Sequence, residues 1–384
     1  MKARPTNLQV CRFCIMDESE GGVRFDETGQ CNCCREALAR RPHEWWPDAE
    51  GAERMKRLVE RLRAEGKGRR YDAMVGLSGG IDSAYLVHHM VTEYGLRLLA
   101  VHVDGGWNSA PAVRNIETLV RALDLDLHTK VIEWQEMRDL QLAFLRAGVL
   151  NQDFPQDHAF FATLFRSARR FGIRTFLSGV NFTSESVSIP GIDAPPSIDG
   201  THVAAIHRQF GTVPLKTYPV MRISEYLWTT RVLRRPVIEK PLNFLDYDKE
   251  EAKRVLDARY GWRDYGSKHS ESRFTKFYQE IYLPRKHMVD KRRLQLSSLI
   301  VSGQMTREQA LDEVARPPID ERHARLDMRF VAKKLGITAE ELAGLLASPP
   351  VPHSAYKSDR QFHSRMMSIR RWLRERAPRG SEAA

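Results

Sequence analysis

Short apolar runs alternate with amphipathic segments through the middle of the chain. Each run is followed by apolar residues at three- and four-residue spacing, which is the period of a helix. The pattern predicts strands at Ala73–Leu77, Leu98–Val103, Leu127–Ile132, Thr175–Ser178 and Val237–Glu239, and helices at Ala49–Glu65, Ser83–Tyr94, Ala110–Leu123, Met137–Arg146 and Asp157–Phe171. Repeated strand–helix units with short apolar strands indicate an α/β fold, a parallel sheet with helices on both faces.

The pattern changes near residue 266, beyond which it becomes helical. Thr306 with Gln309 and Thr338 with Glu341 are spaced as capping boxes that begin helices. The start of the chain is instead polar and rich in cysteine. We therefore expect three parts: residues 1–48, residues 49–265 with the sheet, and a helical region of residues 266–384.

All five cysteines lie in the first 34 residues. Cys11 with Cys14 and Cys31 with Cys34 form two C-x2-C pairs, and sixteen residues separate the pairs. This spacing predicts a closed, structural Zn²⁺ site with four thiolate ligands, and Cys33 is left over. An iron–sulfur cluster is the alternative. The metal would supply the folding energy of a segment that has almost no core.

A glycine-rich segment, Ser78-Gly-Gly-Ile-Asp-Ser83, lies between a predicted strand and a predicted helix. Glycines let the backbone approach an anion, and a helix start directs N–H groups towards it. The loop of kinases and GTPases needs a Lys before its Ser or Thr, but here Asp82 precedes Ser83. The segment resembles the PP-loop of the ATP pyrophosphatases, which cleave ATP between its α- and β-phosphates.

Composition narrows the class of protein further. The net charge of +11 fits an anionic substrate such as a nucleotide, or a nucleic acid, but the chain has no RNA-binding motif. It also has no apolar run long enough to cross a membrane, and its first ten residues lack the apolar stretch of a signal peptide. We expect a cytoplasmic protein without a membrane partner, and nucleic-acid binding is disfavoured.

Several motifs in a fixed order extend the resemblance. They are Cys11-Arg-Phe-Cys-Ile-Met-Asp17, Phe25-Asp-Glu-Thr-Gly29, Cys31-Asn-Cys-Cys34, the PP-loop, Val101-His-Val-Asp-Gly-Gly-Trp-Asn108, Leu177-Ser-Gly-Val-Asn-Phe-Thr-Ser-Glu185, Gly266-Ser-Lys-His-Ser-Glu-Ser-Arg-Phe-Thr275 and Asp290-Lys-Arg-Arg-Leu-Gln-Leu-Ser-Ser298. Together they resemble the N-acetyl sugar amidotransferase family of bacterial surface-polysaccharide biosynthesis, over roughly residues 11 to 318. Family members often carry an aromatic residue at the position of Cys33.

The resemblance implies a fold like that of the PP-loop (adenine nucleotide α-hydrolase) enzymes and a specific reaction. An acetamido group of a nucleotide-linked sugar would be activated by AMP transfer from ATP, with Mg²⁺, and ammonia would then give an acetamidino group for lipopolysaccharide or a related glycan. No cysteine follows Cys34 to hydrolyse glutamine as a thiolate. The expected ammonia source is a separate HisH-like glutaminase with a HisF-like companion.

The resemblance also implies roles for individual residues. Ser78, Gly79, Gly80 and Ser83 would hold the β- and γ-phosphates, and Asp82 would orient the loop or bind Mg²⁺. In the loop after the second strand, Asp104 would contact the nucleoside. In the loop after the fourth strand, Gly179 would contact the nucleotide, and Asn181 and Glu185 would line the sugar or α-phosphate side. Lys240, after the fifth strand, would contact phosphate. Asp104 as a plain turn residue is an alternative.

For two further groups of residues, the sequence allows more than one role. His158 is a general base, a substrate contact or a packed histidine near a helix start. Lys268, His269, Glu271 and Arg273 form a dense polar cluster. We expect Lys268 to be catalytic and the other three to bind substrate, with a solvated helix face as the alternative.

Two competing functions share some of these features. A tRNA thiolase can combine cysteine knuckles, a PP-loop and basic charge, but its sulfur chemistry generally needs a cysteine in the catalytic domain. A regulatory subunit that only binds ATP would not need Asp82 or the polar residues of the later loops. The sequence therefore favours the amidotransferase, with the thiolase as the alternative.

Overall fold

The computed structural model describes residues 8–19, 21–189, 194–233, 236–266 and 270–362. One parallel sheet of five strands lies at its centre: β1 Ala73–Gly76, β2 Leu98–Asp104, β3 Asp126–Val131, β4 Thr175–Leu177 and β5 Val237–Glu239. The strands lie in the order β3-β2-β1-β4-β5, and every neighbouring pair is parallel. The sequence predicts all five strands, and the predicted α/β fold is confirmed.

Helices cover the sheet and form most of the region that follows it. They are α1 Asn32–Glu44, α2 Ala49–Gly66, α3 Ile81–Thr92, α4 Ala110–Ala122, α5 Trp134–Ala147, α6 Phe154–Arg170, α7 Phe182–Glu185, α8 Gly200–Phe210, α9 Ile223–Leu227, α10 Lys249–Tyr260, α11 Arg273–Phe277, α12 Arg292–Ser302, α13 Arg307–Ala315, α14 Glu321–Leu335 and α15 Ala339–Ala347. Stretches of π-helix, Trp228–Val232 and Tyr278–His287, continue α9 and α11. Among the described helices, none has both the length and the apolar character needed to span a membrane.

Both faces of the central strands β1 and β2 are buried, and side chains alternate between the two faces along β1. Ala73 and Val75 lie in the core that the sheet shares with α2, α3 and α10. Met74, between them, belongs to a second core that the sheet shares with α6. Burial on both faces explains why these two strands are nearly continuous apolar runs, whereas the edge strand β3 is largely exposed and carries polar residues.

The order of the strands locates the functional edge of the sheet. The chain passes from central β1 outwards to β2 and β3, and then crosses to the other side of β1 to form β4 and β5. In sheets of this kind ligands bind at the carboxyl ends of the strands, where the strand order reverses. The loops after β1, β2 and β4 are therefore expected to form the binding site.

The structure differs from the sequence prediction at the starts of several helices. Helix α6 begins at Phe154, not at Asp157, because Pro155 occupies the first turn, where a missing N–H has no cost. Helix α1 runs through Pro42, and buried Cys34 and Ala37 anchor it in the core of the cysteine region. In the same region Phe25 and Cys31 form one isolated antiparallel bridge.

The cysteine region packs against the C-terminal helices. Arg293 of α12 forms an ion pair with Asp17 at 3.2 Å, and both side chains are buried. Helix α12 also contacts α7, which follows β4: Ser298 Oγ accepts a hydrogen bond from the backbone N–H of Val187, just beyond α7, at 2.9 Å. The division into residues 1–48, 49–265 and 266–384 stays a prediction, and contacts of α12 cross both proposed boundaries.

Candidate functional site

The loop between β1 and α3 is a tight turn built on Gly79. The φ of Gly79 is +85°, and a Cβ at this position would lie 2.7 Å from the carbonyl oxygen of Ala112. Ser78 Oγ accepts the N–H of Gly80 at 3.2 Å, and Ser83 Oγ donates to the Gly80 carbonyl at 3.1 Å. The turn thus places the first N–H groups of α3 at the end of β1, an arrangement suited to a phosphate group.

Asp82 lies in the first turn of α3 and is held by a tyrosine from another part of the chain. The hydroxyl of Tyr247 donates to Asp82 Oδ1 at 2.6 Å. Burial, and then the charge of Asp82, raise the pKa of Tyr247 well above its ordinary value, so the phenol keeps its proton and acts as a donor. The carboxylate beside the turn offers the oxygen ligands that Mg²⁺ prefers.

The loop after β2 is fixed by a histidine and an aspartate. His102 Nδ1 lies 2.8 Å from the carbonyl oxygen of Leu77, and Asn108 Nδ2 lies 3.0 Å from His102 Nε2. A carbonyl can only accept, so Nδ1 carries the proton and Nε2 accepts from Asn108. Asp104 Oδ1 accepts the N–H of Gly106 at 2.8 Å and Asn108 Nδ2 at 3.1 Å. The Asp104 side chain therefore organises a turn.

A lysine from the C-terminal region supports the same loop. Lys334 of α14 donates from Nζ to the carbonyl oxygen of Gly106. Its Nζ lies 5.0 Å from the ring centre of Trp107 and 4.9 Å from that of Trp134. Burial lowers the pKa of Lys334. The C-terminal helices are thus part of the support of the sheet's functional edge.

Glu271 reaches the phosphate turn because its segment pairs with the loop after β2. Asn108 and Ser272 form an antiparallel bridge, and the backbone N–H of Ser109 donates to the Glu271 carbonyl at 2.7 Å. A Cβ on Gly80 would lie 3.3 Å from Glu271 Oε1 and 3.2 Å from the Tyr265 hydroxyl. The Glu271 carboxylate therefore lies directly beside the turn.

These loops enclose a cleft of about 150 Å³ at the carboxyl ends of the strands. Its polar walls are formed by Ser78, His102, Asn108, Gln156, Asp157 and Glu271. Met137 and Phe160 give it an apolar side. A lining with both polar and apolar side chains suits an organic ligand with both kinds of surface.

The start of α6 supplies cleft residues that the sequence does not reveal. Gln156 and Asp157 line the cleft, and Asp153 lies behind them and accepts a hydrogen bond from Gln156 Nε2 at 3.2 Å. Burial, and then the neighbouring Asp157, raise the pKa of Asp153 to about 8. The only local signal in the sequence is their place beside a helix start, which structural residues share.

The loop after β4 uses its predicted site residues mainly for its own structure. A Cβ on Gly179 would lie 3.0 Å from the backbone nitrogen of Ser83, so this glycine lets β4 approach the phosphate turn. Asn181 is buried, and its Oδ1 caps α7 by accepting from the Ser184 N–H at 3.0 Å and the Thr183 hydroxyl at 2.7 Å. Glu185 is exposed at the end of α7. A direct substrate contact by the Asn181 side chain is not supported.

His158 packs in the core and does not face the cleft. Nδ1 lies 2.7 Å from the carbonyl oxygen of Ser197, and Nε2 accepts the backbone N–H of Met221 at 2.9 Å. The side chain is fully buried, and desolvation lowers its pKa to about 4. Backbone groups engage both ring nitrogens, so the geometry supports the packed alternative and not the general base.

The residues of the polar cluster predicted at 268–273 do not all lie in one place. Lys268 and His269 lie outside the described residues. Arg273 points to α14, where it pairs with Asp327 at 2.7 Å and lies 4.4 Å over the ring of Phe330, so it does not join Glu271 in the cleft. Lys240 follows β5 and its side chain is exposed.

The four cysteines predicted as metal ligands come together. Their sulfur atoms all lie within 4.8 Å of one another, with 3.7 Å between Cys11 and Cys34 and 3.5 Å between Cys14 and Cys31. Zn–S bonds of about 2.3 Å in a tetrahedron place sulfur atoms about 3.8 Å apart. Four buried thiols at these distances form a cluster able to bind Zn²⁺.

Backbone amides and an arginine surround this cluster. The N–H of Cys31 donates to Cys11 Sγ at 3.2 Å, an interaction that stabilises a thiolate. Arg307 of α13 donates to the carbonyl oxygens of Cys11 and Cys14 at 2.9 and 3.1 Å. Cys33 is buried beside the cluster, where its sulfur lies 3.6 Å from Asn32 Oδ1.

Comparison with protein families finds one match. Residues 271–370 match the family model described as LPS biosynthesis protein WbpG-like, C-terminal domain. The match begins at the cleft residue Glu271 and includes α12, α13 and Lys334 of α14. The segment that completes the cleft is thus similar to a domain of lipopolysaccharide biosynthesis proteins. A search of curated proteins finds no match.

Solved structures similar to this chain include two synthetases. The NMN synthetase from Francisella tularensis is 16% identical over 59% of this chain and 93% of its own, with a TM-score of 0.28. The NH3-dependent NAD synthetase from Campylobacter jejuni subsp. jejuni is 14% identical over 67% of this chain and 97% of its own, with a TM-score of 0.29. Similarity at this level does not bear on the function of the chain.

Proposed function

We propose that this protein is an ATP-dependent amidotransferase that converts the acetamido group of a nucleotide-linked N-acetyl sugar into an acetamidino group. The observation that carries the proposal is the meeting of two segments in one cleft. The phosphate turn at Gly79 and Gly80 lies against Glu271, the first residue of the segment similar to a lipopolysaccharide biosynthesis domain. The candidate phosphate turn and a segment similar to a glycan-biosynthesis domain therefore line the same cleft, which supports the proposal.

The chemistry explains why ATP is needed. An amide carbonyl is a poor electrophile because nitrogen donates its lone pair into it. When the amide oxygen attacks the α-phosphorus of ATP, pyrophosphate leaves and an adenylylated imidate forms. Ammonia then adds to the imidate carbon, AMP leaves with the original oxygen, and loss of a proton gives the amidine. Each of these steps requires the reacting groups to be held in line.

The residues of the turn would bind and orient the leaving pyrophosphate. Backbone N–H groups at Gly79, Gly80 and the start of α3 would hold its oxygens, with the hydroxyls of Ser78 and Ser83 beside them. Asp82, held by Tyr247, has the chemistry to bind a Mg²⁺ ion that neutralises phosphate charge. The turn at Asp104 would face the nucleoside.

Glutamine hydrolysis is not assigned to this chain. All five of its cysteines lie between positions 11 and 34, and four of them form the buried cluster proposed to bind Zn²⁺. A thiolate bound in a closed zinc site is not available as a nucleophile. Ammonia would come from solution or from a separate HisH-like glutaminase with a HisF-like companion.

The test is the identity of the products. Purified protein, ATP, ammonium and a UDP-N-acetylhexosamine panel should give AMP and pyrophosphate, and a sugar product lighter than the substrate by about one mass unit, since NH replaces O. Glutamine should replace ammonium only when a partner glutaminase is added. ADP and phosphate as products would contradict the proposal. A gain of about sixteen mass units on tRNA, sulfur for oxygen, would favour the thiolase.

A further inference from the structure

Gln156 occupies a central position in the cleft. It lies in the first turn of α6 and lines the cleft together with Met137 and Phe160. A Cβ on Gly105 would lie 3.8 Å from Gln156 Cγ and 3.3 Å from the Met137 methyl group. An amide group and an apolar surface thus stand side by side next to the loop after β2.

The orientation of the Gln156 amide is fixed by its neighbours. Ser272 Oγ accepts the N–H of Thr275 as the cap of α11, so its own proton is donated to Gln156 Oε1, at 3.0 Å. Gln156 Nε2 donates to Asp153 Oδ1 at 3.2 Å, and that oxygen also accepts the Thr275 hydroxyl at 3.0 Å. Reversing the amide would set Gln156 Oε1 against Asp153 Oδ1, an oxygen that already accepts the Thr275 hydroxyl.

These contacts leave part of the hydrogen-bonding capacity of Gln156 for a ligand. An amide offers two acceptor sites on oxygen and two donor protons on nitrogen. Ser272 uses one acceptor site of Gln156, and Asp153 uses one donor proton. Among the residues that the structure describes, none takes the second acceptor site on Oε1, which lies at a fixed position in the wall of the cleft. An acetamido group has the complementary surface, an N–H donor next to a methyl group.

We propose that Gln156 selects the substrate by accepting the N–H of its acetamido group on Oε1, with the acetyl methyl against Met137 and Phe160. This inference rests on the proposed function. A hydrogen bond from the amide N–H moves electron density towards the carbonyl oxygen, the atom that attacks ATP. An O-acetyl group has no such donor, and its ester oxygen would face Oε1 with lone pair against lone pair.

The test compares two ligands in three proteins. Calorimetry gives the Kd of a UDP-N-acetylhexosamine that the enzyme turns over and of its O-acetyl analogue. Wild type should bind the N-acetyl ligand about tenfold or more tightly than the O-acetyl one. In Gln156→Leu the ratio should fall to about one. The control Gln135→Leu, a solvent-exposed glutamine on α5, should keep the wild-type ratio.

The possible results distinguish a failure of the role of Gln156 from a failure of the proposed amidotransferase function. If wild type forms no AMP with any N-acetylated sugar nucleotide, both fail. If turnover occurs but Gln156→Leu keeps the wild-type ratio, the inference alone fails. Weaker ATP binding by Gln156→Leu with an unchanged ratio would assign Gln156 to the nucleotide and overturn the inference. Gln156→Met, close in size to glutamine, replaces the leucine variant if that variant does not fold.

Discussion

At the scale of single residues, the site is built from polar side chains that are held by partners distant in sequence. Tyr247 fixes Asp82, and the Ser272–Gln156–Asp153 chain links two segments more than a hundred residues apart. Fixed partners matter because a catalytic group displaced by about 1 Å can lose a large part of its effect.

Asp82 should be essential for ATP cleavage, and Tyr247 should matter less. Asp82→Ala removes the carboxylate beside the phosphate turn, so AMP formation should fall by ~10²-fold or more. Tyr247→Phe removes only the hydroxyl that donates to Asp82 at 2.6 Å, so its loss should be about tenfold. Steady-state release of pyrophosphate measures both. Equal losses in the two variants would contradict this ranking.

Asp153 should make the protein less stable as pH rises. Its folded-state pKa of about 8 lies above the ordinary value of 3.8. Between these values the folded state holds a proton that the unfolded state lacks, so the free energy of unfolding falls as pH increases through this window. Asp157 and Glu271 raise this pKa, and Lys291 and the Thr275 hydroxyl lower it.

The variant Asp153→Asn cannot titrate and isolates this contribution. The melting temperature of this variant should increase relative to that of wild type between about pH 5 and pH 8, and the difference should become constant above about pH 9. Circular dichroism melts across this range give the measurement. A difference that does not change with pH would show that Asp153 is ionised in the folded protein.

At the scale of elements, the close approach of loops defines the phosphate turn. Gly79 brings the turn against the backbone of α4, and Gly179 brings the loop after β4 against the start of α3. The sequence predicts the turn from its glycines but not what lies against them. The neighbours come from later segments of the chain, which only the folded sheet brings together.

Gly79→Ala should abolish ATP cleavage, and its control should not. An alanine at position 79 would combine a left-handed φ of +85° with a contact of 2.7 Å to the Ala112 carbonyl. Gly303 has nearly the same φ, +81°, but open space where a Cβ would stand. Gly303→Ala should cost only the strain of its φ, about 1–2 kcal/mol of stability, and keep activity. Equal activity in both variants would contradict the close-approach argument.

At the scale of the whole molecule, the cysteine cluster connects the beginning of the chain to the C-terminal helices and to the sheet. Arg307 binds its backbone carbonyls, and Trp45, just after α1, stacks on Phe182 of α7 with ring centres 5.9 Å apart. The loop of Gly179 leads into α7 and lies against the phosphate turn. The metal is therefore expected to stabilise the cleft as well as its own segment.

Loss of the metal should reduce both stability and ATP cleavage. Cys14→Ser removes one of four ligands, so zinc content should fall from about one per chain towards zero, with a lower melting temperature. Cys33→Ser is the matched control, since Cys33 is buried beside the cluster without belonging to it. Zinc retained in Cys14→Ser, or lost in Cys33→Ser, would contradict the ligand assignment. Metal analysis and pyrophosphate release give the two measurements.

The sequence by itself determined the features that depend on local order. Short apolar runs followed by helical periods locate the strands, the glycines of residues 78–83 locate the turn, and the two C-x2-C pairs predict the cysteine cluster, because each of these signals lies within a short stretch of sequence. It also predicts the capping boxes at Thr306 and Thr338, and the structure confirms both.

Only the tertiary structure decided which polar residues share the cleft. Glu271 enters it while Arg273, two residues later, turns to α14, and His158 is buried while Gln156, two residues earlier, lines the wall. From the sequence alone, Glu271 cannot be told from Arg273, nor Gln156 from His158, because both members of each pair are polar residues in the same short segment. The direction of a side chain on a helix or a bridged strand depends on what packs against that element. That packing comes from segments far away in the chain, which no local pattern encodes.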